Sequence, residues 1–177
     1  MPTLLPLLPL LDAVIFPRAP AVVHATRKAS SEVLRAAARS GDVIGIVTQS
    51  GADLLSERAF LDFGCAARVV ALRDVDDEVT AIVIAGPLFR LIEVRAFTPV
   101  VVGYVEELHS HELAPTQLDD SARSVLFEIA EAILTSDVGE RTAARDLLEL
   151  ARHPSDLASI CLYGLELPLS ELEELLL

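Results

Sequence analysis

Residues 4–108 follow a mostly strand-like pattern of apolar and polar positions. The apolar runs are rich in Val and Ile and are bounded by Gly, Pro and Asp, as expected of β-strands. The acidic run Asp74–Glu78 predicts a hairpin loop between two of these runs, and Gly86-Pro87 predicts a second turn. The predicted strands are 22–25, 43–49, 67–72, 79–85, 88–94 and 99–108.

One helix interrupts the strands. Across Ala29–Arg39 the apolar residues are spaced three and four apart and fall on one helical face. Gly41 follows as a C-terminal stop.

The period of the apolar residues becomes helical after about residue 117. In 119–137 the apolar positions step by three and four, which predicts a helix with one buried face. Further helices are predicted near Arg141–Arg152 and from Ser155 onward. The two periods predict an α+β chain, with a strand-rich unit at 1–112 and a helical unit at 113–177.

The N-terminal stretch, MPTLLPLLPLLDAVIFPRAP, is apolar enough to raise the question of export. A signal peptide begins with positive charge and continues as an unbroken apolar helix, whereas the first basic residue here is Arg18 and prolines interrupt the run. Asp12 ends the run well short of the ~20 residues of a membrane span. We therefore expect extended segments at Leu4–Leu8 and Ala13–Phe16 and a cytoplasmic protein.

The net charge of −13 is unevenly distributed along the chain. Residues 1–100 carry 10 basic and 11 acidic side chains, whereas residues 101–177 carry 4 basic and 16 acidic ones. Nucleic acid is an unlikely partner for such a chain, because phosphate binding depends on clustered Lys and Arg. The acidic half is expected to form helices with solvated outer faces.

The cysteines and histidines do not predict a metal site. Cys65 and Cys161 each lie in an apolar stretch and are expected to be buried as small hydrophobic residues. His109 and His111 lie close together, but no cysteine or third histidine lies near them in the sequence.

The motifs of several enzyme classes are missing from the sequence. Lys28 is the only lysine and follows Arg27 rather than Gly, so there is no P-loop, and there is no Gly-x-Ser-x-Gly motif. A Ser–Lys dyad would have to use Lys28, which starts the predicted helix as a solvated charge. Asp76-Asp77 and Asp119-Asp120 fit turn and capping roles. The sequence predicts a non-catalytic module without a cofactor.

Several elements, in order, resemble the N-terminal substrate-recognition domain of the Lon proteases, the ATP-dependent serine proteases of bacteria and organelles. LPLLDAVIFP at 8–17 is similar to the start of that family, and HATRKASS at 24–31 is similar to its Gly-Arg-x-Lys-Ser helix start. GCAARVVAL at 64–72 is similar to Gly-Thr-x-Ala-x-Ile, and IVIAGPLFRLIEV at 82–94 to Val-x-Gly-x-x-Arg-x-x-Ile. LASICLYGLELPLSELEELL at 157–176 is similar to the family's C-terminal helices.

The resemblance implies a fold and a function. The implied fold is a PUA-like β pseudo-barrel with one helix over residues 1–112, followed by a small C-terminal α-helical bundle over 113–177. The implied function is non-catalytic: capture of unfolded or degron-bearing proteins, and subunit assembly, for a Lon-type ATP-dependent protease. The implied partners are protein substrates and other Lon subunits, through domains that this sequence lacks, with no role for a membrane.

A site that grips unfolded chains is expected at apolar loop and edge positions that strand alternation does not explain. Ordinary core packing is the alternative for each of them. The candidates are Phe16, Pro17, Pro20, Leu54, Leu55 and Phe60.

Two alternative functions are compatible with the sequence. The first is a stand-alone LON-domain adaptor or regulatory module for protein interaction. Continuation of the coding sequence past Leu177 would distinguish a protease domain from it, and we expect continuation because the helix predicted to start at Ser170 has barely begun at Leu177. The second is RNA binding through a basic patch of Arg27, Lys28, Arg35 and Arg39, which neighbouring acidic residues dilute.

Overall fold

The computed structural model describes residues 1–11, 13–49, 60–75 and 78–108, together with five single residues farther along the chain: Ser124, Glu128, Pro168, Ser170 and Glu171. Six strands and one helix make up the described part. In chain order they are β1 (Thr3–Leu11), β2 (Pro20–Ala25), α1 (Lys28–Ser40), β3 (Ile44–Gln49), β4 (Phe60–Val75), β5 (Glu78–Ala96) and β6 (Val101–Glu107).

The six strands form one sheet that closes on itself. Its order is β2-β5-β4-β3-β1-β6, and β6 pairs in addition with β5. Five strands therefore form a closed ring, and β2 pairs with the first half of β5, whose second half pairs with β6. All pairs are antiparallel except β1 with β3. The predicted strand-rich barrel with one helix is confirmed over these residues.

Strand β1 contains two prolines because each half of it pairs on one side only. Thr3–Leu7 pairs with β6, and Leu7–Leu11 pairs with β3. A strand tolerates a residue without an N–H where that position faces no neighbouring strand. The extended segment predicted at Leu4–Leu8 is thus a longer strand, whereas residues 13–16 belong to no strand.

Helix α1 agrees with the helix predicted at Ala29–Arg39. Its apolar face, with Leu34 fully buried, packs against the sheet. Gly41 ends the helix with φ of 74°, a left-handed conformation that glycine adopts without steric cost, and its N–H donates to the carbonyl of Ala37 at 2.8 Å.

The interior of the barrel is filled by Leu7 and Phe89, for which glycines on three strands make room. A Cβ built on Gly45 would lie 2.6 Å from Leu7 Cδ2, and one on Gly103 would lie 2.8 Å from Leu7 Cδ1. A Cβ on Gly64 would lie 2.8 Å from the ring of Phe89. A second core lies between α1 and the sheet.

The turn predicted at Gly86-Pro87 is wrong. Strand β5 runs through both residues, and the pairing with β4 shifts between Cys65/Leu88 and Ala67/Ala85. Two residues of β5 therefore oppose Ala66, which is a β-bulge that bends the strand without ending it. The hairpin predicted at Asp74–Glu78 is confirmed, since Val75 pairs with Glu78.

The helical unit predicted at 113–177, and with it the boundary at residue 112, lies outside the described residues apart from the five single residues. Four of these, Ser124, Glu128, Ser170 and Glu171, have helical backbone. Among the residues that the structure describes, no helix is both long and apolar enough to span a bilayer.

Candidate binding groove

Two large apolar side chains lie exposed in one groove on the outer face of the sheet. Val70 of β4 and Ile84 of β5 keep 52% and 40% of their surface exposed. Both line a groove with a volume of about 410 Å³. The other described residues that line it are Val43, Ala66, Ala67, Arg68, Ala85, Gly86, Pro87 and Glu107. We call these ten residues the β4–β5 groove.

Strand alternation and one bulge shape this groove. The bulge opposite Ala66 brings Gly86 and Pro87 into the lining of the groove. Alternation along β4 buries Cys65 and Ala67 and directs Val70 to the outer face, and alternation along β5 directs Ile84 there. The apolar wall of the groove therefore follows from the ordinary period of the two strands.

Two charged side chains, Arg68 and Glu107, are among the described residues that line the β4–β5 groove. Arg68 is held in place because its Nη1 donates to the carbonyl oxygen of Gly41 at 2.7 Å, which also fastens β4 to the end of α1. Glu107, near the end of β6, is the only acidic residue among the described lining. The remaining lining is apolar, so the groove is suited to bind apolar side chains rather than to perform acid–base chemistry.

A second groove of about 410 Å³ runs along the C-terminal half of α1. Its apolar floor consists of residues that already belong to the core, such as Val33, Ala37 and Ile44, while Glu32, Arg39 and Asp42 stand around it. It exposes no large apolar side chain comparable to Val70 and Ile84. The β4–β5 groove is therefore the better candidate for binding apolar chains.

Four of the six residues predicted to grip substrate lie within the described part of the chain, and most of them are buried. Phe16 is 3% exposed and packs with Val14, whereas Phe60 is 6% exposed and belongs to the barrel core. Pro20 is buried at the start of β2 and pairs with Ile84, and Pro17 is half-buried. Leu54 and Leu55 lie outside the described residues.

The two predicted phenylalanines, Phe16 and Phe60, contact different aromatic neighbours. Phe63 packs against the cluster of Phe16, and the guanidinium of Arg90 lies 5.9 Å from the centroid of the Phe63 ring. Phe60 stacks on Phe97, with ring centroids 6.4 Å apart and the ring planes at 21°. Both contacts resemble ordinary core packing, which was the alternative interpretation of these positions.

Sequence reasoning missed Val70 and Ile84, although a signal for Ile84 was present. Strict alternation along β5 buries Val79, Ala81, Val83 and Ala85, which directs Ile84 to the outer face. A signal for Val70 was present as well, because alternation along β4 buries Cys65 and Ala67 and directs Val70 to the outer face.

Within the described part of the chain, the reactive side chains outside the groove are not arranged for catalysis. Cys65 is buried, its Sγ donates to the carbonyl of Ile15 at 3.1 Å, and burial raises the pKa of its thiol to about 12. No three His, Cys, Asp or Glu residues within the described ranges are placed to hold a metal ion. His109 and His111 lie outside the described residues.

The basic patch considered for RNA binding is partly neutralised. Arg35 donates from Nε and Nη2 to the two carboxylate oxygens of Asp74, at 2.6 and 2.8 Å. Arg27 donates from Nη1 to Oε1 of buried Gln49 at 2.8 Å. Only Arg35 is thus paired with a carboxylate; Arg27 and Lys28 lie at the start of the helix and Arg39 at its end, too far apart for the four to act as one cluster.

Comparison with known proteins finds a family model that matches nearly the whole chain, and similar proteins. Residues 4–176 match the family model described as the ATP-dependent protease La (LON) substrate-binding domain. The chain is 25% identical over 179 aligned residues to the Lon protease of Anaeromyxobacter dehalogenans (strain 2CP-C) and equally to Lon protease 2 of Myxococcus xanthus. The alignments cover 99% of this chain but only 21% and 22% of those proteins, so the chain spans about a fifth of their length.

Solved structures show a similar fold. A Lon N-terminal domain protein from Xanthomonas campestris aligns with a TM-score of 0.61 and 18% identity, covering 98% of this chain and 89% of that one. The N-terminal domain of the Mycobacterium avium complex Lon protease aligns with a TM-score of 0.55 and 17% identity, with the same coverage of each chain.

Proposed function

Because the chain belongs to the family of the ATP-dependent protease La (LON) substrate-binding domain, we propose that it captures unfolded or degron-bearing polypeptides for a Lon-type protease. In this proposal the chain itself performs no catalysis, and it contributes recognition to a longer enzyme whose ATPase and peptidase activities reside elsewhere. Its place of action is the cytoplasm, as expected from the sequence.

The observation that carries the proposal is the exposed apolar wall of the β4–β5 groove. Unfolded proteins differ from folded ones in presenting apolar segments, so a general receptor for them needs an exposed apolar surface of low sequence specificity. Val70 and Ile84 provide such a surface, and the groove is open along the sheet.

The proposed binding is weak at a single groove. Covering two half-exposed branched side chains removes on the order of 100 Å² of apolar surface from water, which is worth ~2.5 kcal/mol. Several grooves acting on one extended polypeptide would raise the overall affinity without any new contact. Assembly with other Lon subunits into a homo-oligomer, which we propose through domains outside this chain, therefore fits the weakness of the single site.

The residues predicted from the sequence have a secondary place in this proposal. Pro17 is accessible enough to contact a bound chain, and Pro20 supports the groove because it pairs with Ile84. For Phe16 and Phe60, burial favours a structural role. Contact of substrate with Leu54 and Leu55 stays a prediction.

Site-specific cross-linking tests the proposal. A photo-reactive amino acid is placed at position 70, and in separate variants at position 17 and at position 75, where Val75 is similarly exposed but outside the groove. Each variant is irradiated with a permanently unfolded polypeptide and with the same polypeptide in a folded form. We expect cross-links to the unfolded form from position 70, and several-fold fewer from position 75.

Equal cross-linking from positions 70 and 75 would contradict the groove as the binding site. Cross-linking from position 17 but not from position 70 would instead support the surface predicted from the sequence. The absence of any cross-link to unfolded polypeptide would contradict the proposed function itself.

A further inference from the structure

Glu107 brings an exposed carboxylate to the β4–β5 groove. This carboxylate makes no ion pair or hydrogen bond with any residue in the described part of the chain. The backbone that carries it is fixed, because Glu107 pairs with Phe89 of β5 and the N–H of Leu108 donates to the carbonyl of Leu88 at 2.8 Å. The charge is therefore presented from an ordered strand.

The strand register gives the spacing between Glu107 and the apolar wall of the groove. Phe89, the partner of Glu107, pairs on its other side with Gly64 of β4, and Ile84 pairs with Arg68. Positions 64 and 68 share a face of β4, so Glu107 and Ile84 lie at levels four strand residues apart, about 13 Å. In an extended polypeptide that lies along β5, side chains four positions apart have this spacing and point in the same direction. A bound chain with one side chain on Ile84 therefore brings another to Glu107.

The opposite charge stands at the Ile84 end of this stretch. Arg68 lies beside Ile84, and its Nη1 donates to the carbonyl oxygen of Gly41. This bond directs the guanidinium toward the end of α1, and Arg68 makes no ion pair with Glu107. A basic side chain of a bound polypeptide would be repelled near Arg68 and attracted near Glu107. The two charges thus favour a basic residue at the Glu107 end only.

The charge of the whole chain acts in the same direction. The net charge is −13, and Glu106, next to Glu107 in β6, adds a further negative charge nearby. A protein of this charge attracts cationic segments and repels acidic ones. The effect is strongest for a cation that comes into direct contact with a carboxylate, because salt screens the more distant charges.

We propose that the β4–β5 groove prefers, among unfolded polypeptides, segments in which a Lys or Arg lies four residues from an apolar side chain. This inference rests on the proposed function, since it specifies which segments bind best at the same groove. The apolar side chain contacts Val70 and Ile84, and the basic side chain pairs with Glu107. An exposed ion pair changes an affinity only a few-fold, so Glu107 adds selectivity to binding that the apolar wall provides.

Binding of designed unfolded polypeptides to the 177-residue chain tests this preference. Each labelled polypeptide carries several leucines in an uncharged background, with Lys, Gln or Glu four positions to either side of every leucine. A fourth version carries Lys three positions away, where an extended chain points it to the opposite face. Fluorescence anisotropy at low ionic strength gives each affinity.

We expect the Lys version to bind about threefold more tightly than the Gln version, and the Glu version to bind about threefold more weakly. Both differences should shrink at high salt, because the ion pair is exposed. The version with Lys three positions away should bind like the Gln version.

Glu107→Gln and Glu106→Gln form a matched pair, because they make the same change of charge at adjacent residues, of which only Glu107 lines the groove. Glu107→Gln should lose the preference for the Lys version. Its affinity for the Gln version should stay within about twofold of wild type, because the apolar wall is intact. Glu106→Gln should keep at least about half of the preference.

Equal affinities for the Lys and Gln versions would overturn the inference, as would equal binding with Lys at three and four positions, or equal losses in the two Glu variants. In each of these cases, binding of the Gln version to the wild-type chain would leave the proposed function standing. Failure of every version to bind would contradict the proposed function and the preference with it.

Discussion

The ring of Phe89 occupies the space that a side chain at position 64 would need. A Cβ built on Gly64 would lie 2.8 Å from Cζ of this ring, and the backbone carbonyl of Ile46 lies against the same position. Phe89 is fully buried, and it fills the barrel between β3, β4 and β5. Closure of the barrel thus depends on a glycine in β4 facing a phenylalanine in β5.

Gly64→Ala is expected to lower the free energy of unfolding by about 2–4 kcal/mol, because neither the buried ring nor the carbonyl can move without opening the core. Urea denaturation measures this. The control is Gly86→Ala, whose Cβ would lie 3.3 Å from the carbonyl oxygen of Ala66 and should cost no more than about 1 kcal/mol. Equal losses for the two variants would argue against tight packing at Gly64.

The buried thiol of Cys65 predicts a loss of stability at alkaline pH. Burial raises its pKa from 9.0 to about 12, so the folded protein keeps this proton while the unfolded chain releases it. The contribution of the protonated thiol to the free energy of unfolding is therefore fully present below pH 9. It is lost as the pH rises from about 9 to about 12, by at most ~4 kcal/mol.

The measurement compares wild-type Cys65 with Cys65→Ala, both in a Cys161→Ser background. The difference between their unfolding free energies should shift in favour of the alanine variant across this pH range, because alanine has no proton to lose. A pH-independent difference would show that the thiol titrates normally in the folded protein.

The ion pair between Arg35 and Asp74 predicts a small effect at acidic pH. The hydrogen bond from Arg35 holds the pKa of Asp74 below its ordinary value of 3.8. Because the pKa is lowered in the folded state, the ion pair contributes to the free energy of unfolding above pH 3.8. This contribution is lost as the pH falls through the lowered pKa. Both side chains are partly exposed, so the effect is modest.

Thermal unfolding of Asp74→Asn and wild type at pH 7 and well below pH 3.8 measures this contribution. The variant should melt lower at pH 7 and match wild type at the acidic pH. Glu93→Gln is the control, since Glu93 makes a single, more exposed contact of 3.1 Å with Arg95, and its effect should be smaller still. A larger effect at Glu93 would contradict the stabilising role of the two-point pair.

The sequence predicted those features of the fold that depend on local pattern. The helix ending at Gly41 followed from the spacing of its apolar residues and from the glycine itself, and the hairpin at Val75–Glu78 followed from an acidic run between two apolar ones. The turn predicted at Gly86-Pro87 was wrong, because the same residues that make a turn also make a bulge when the neighbouring strand continues past them.

The candidate site was harder to predict than the fold. Phe16 and Phe60 are large and apolar and follow no clear alternation, yet they are buried through contacts with Phe63 and Phe97, distant neighbours that local pattern does not reveal. Val70 and Ile84, in contrast, lie on the outer face by ordinary strand alternation, which the sequence carried. The burial of the two phenylalanines depends on the packing of segments far apart in the chain.

The central claim is that the β4–β5 groove binds unfolded polypeptide, and a pair of double variants tests it most directly. Val70→Ser with Ile84→Ser removes the apolar wall, whereas Val75→Ser with Ile92→Ser makes identical changes at similarly exposed positions of the same two strands outside the groove.

Fluorescence anisotropy of a labelled, permanently unfolded polypeptide gives the affinity of each variant, and circular dichroism verifies that each is folded. We expect the groove variant to bind at least about tenfold more weakly than wild type, which corresponds to a loss of roughly 1.4 kcal/mol or more, and the control variant to bind within about twofold of wild type. Equal affinities for the two double variants would contradict binding of unfolded polypeptide at the β4–β5 groove.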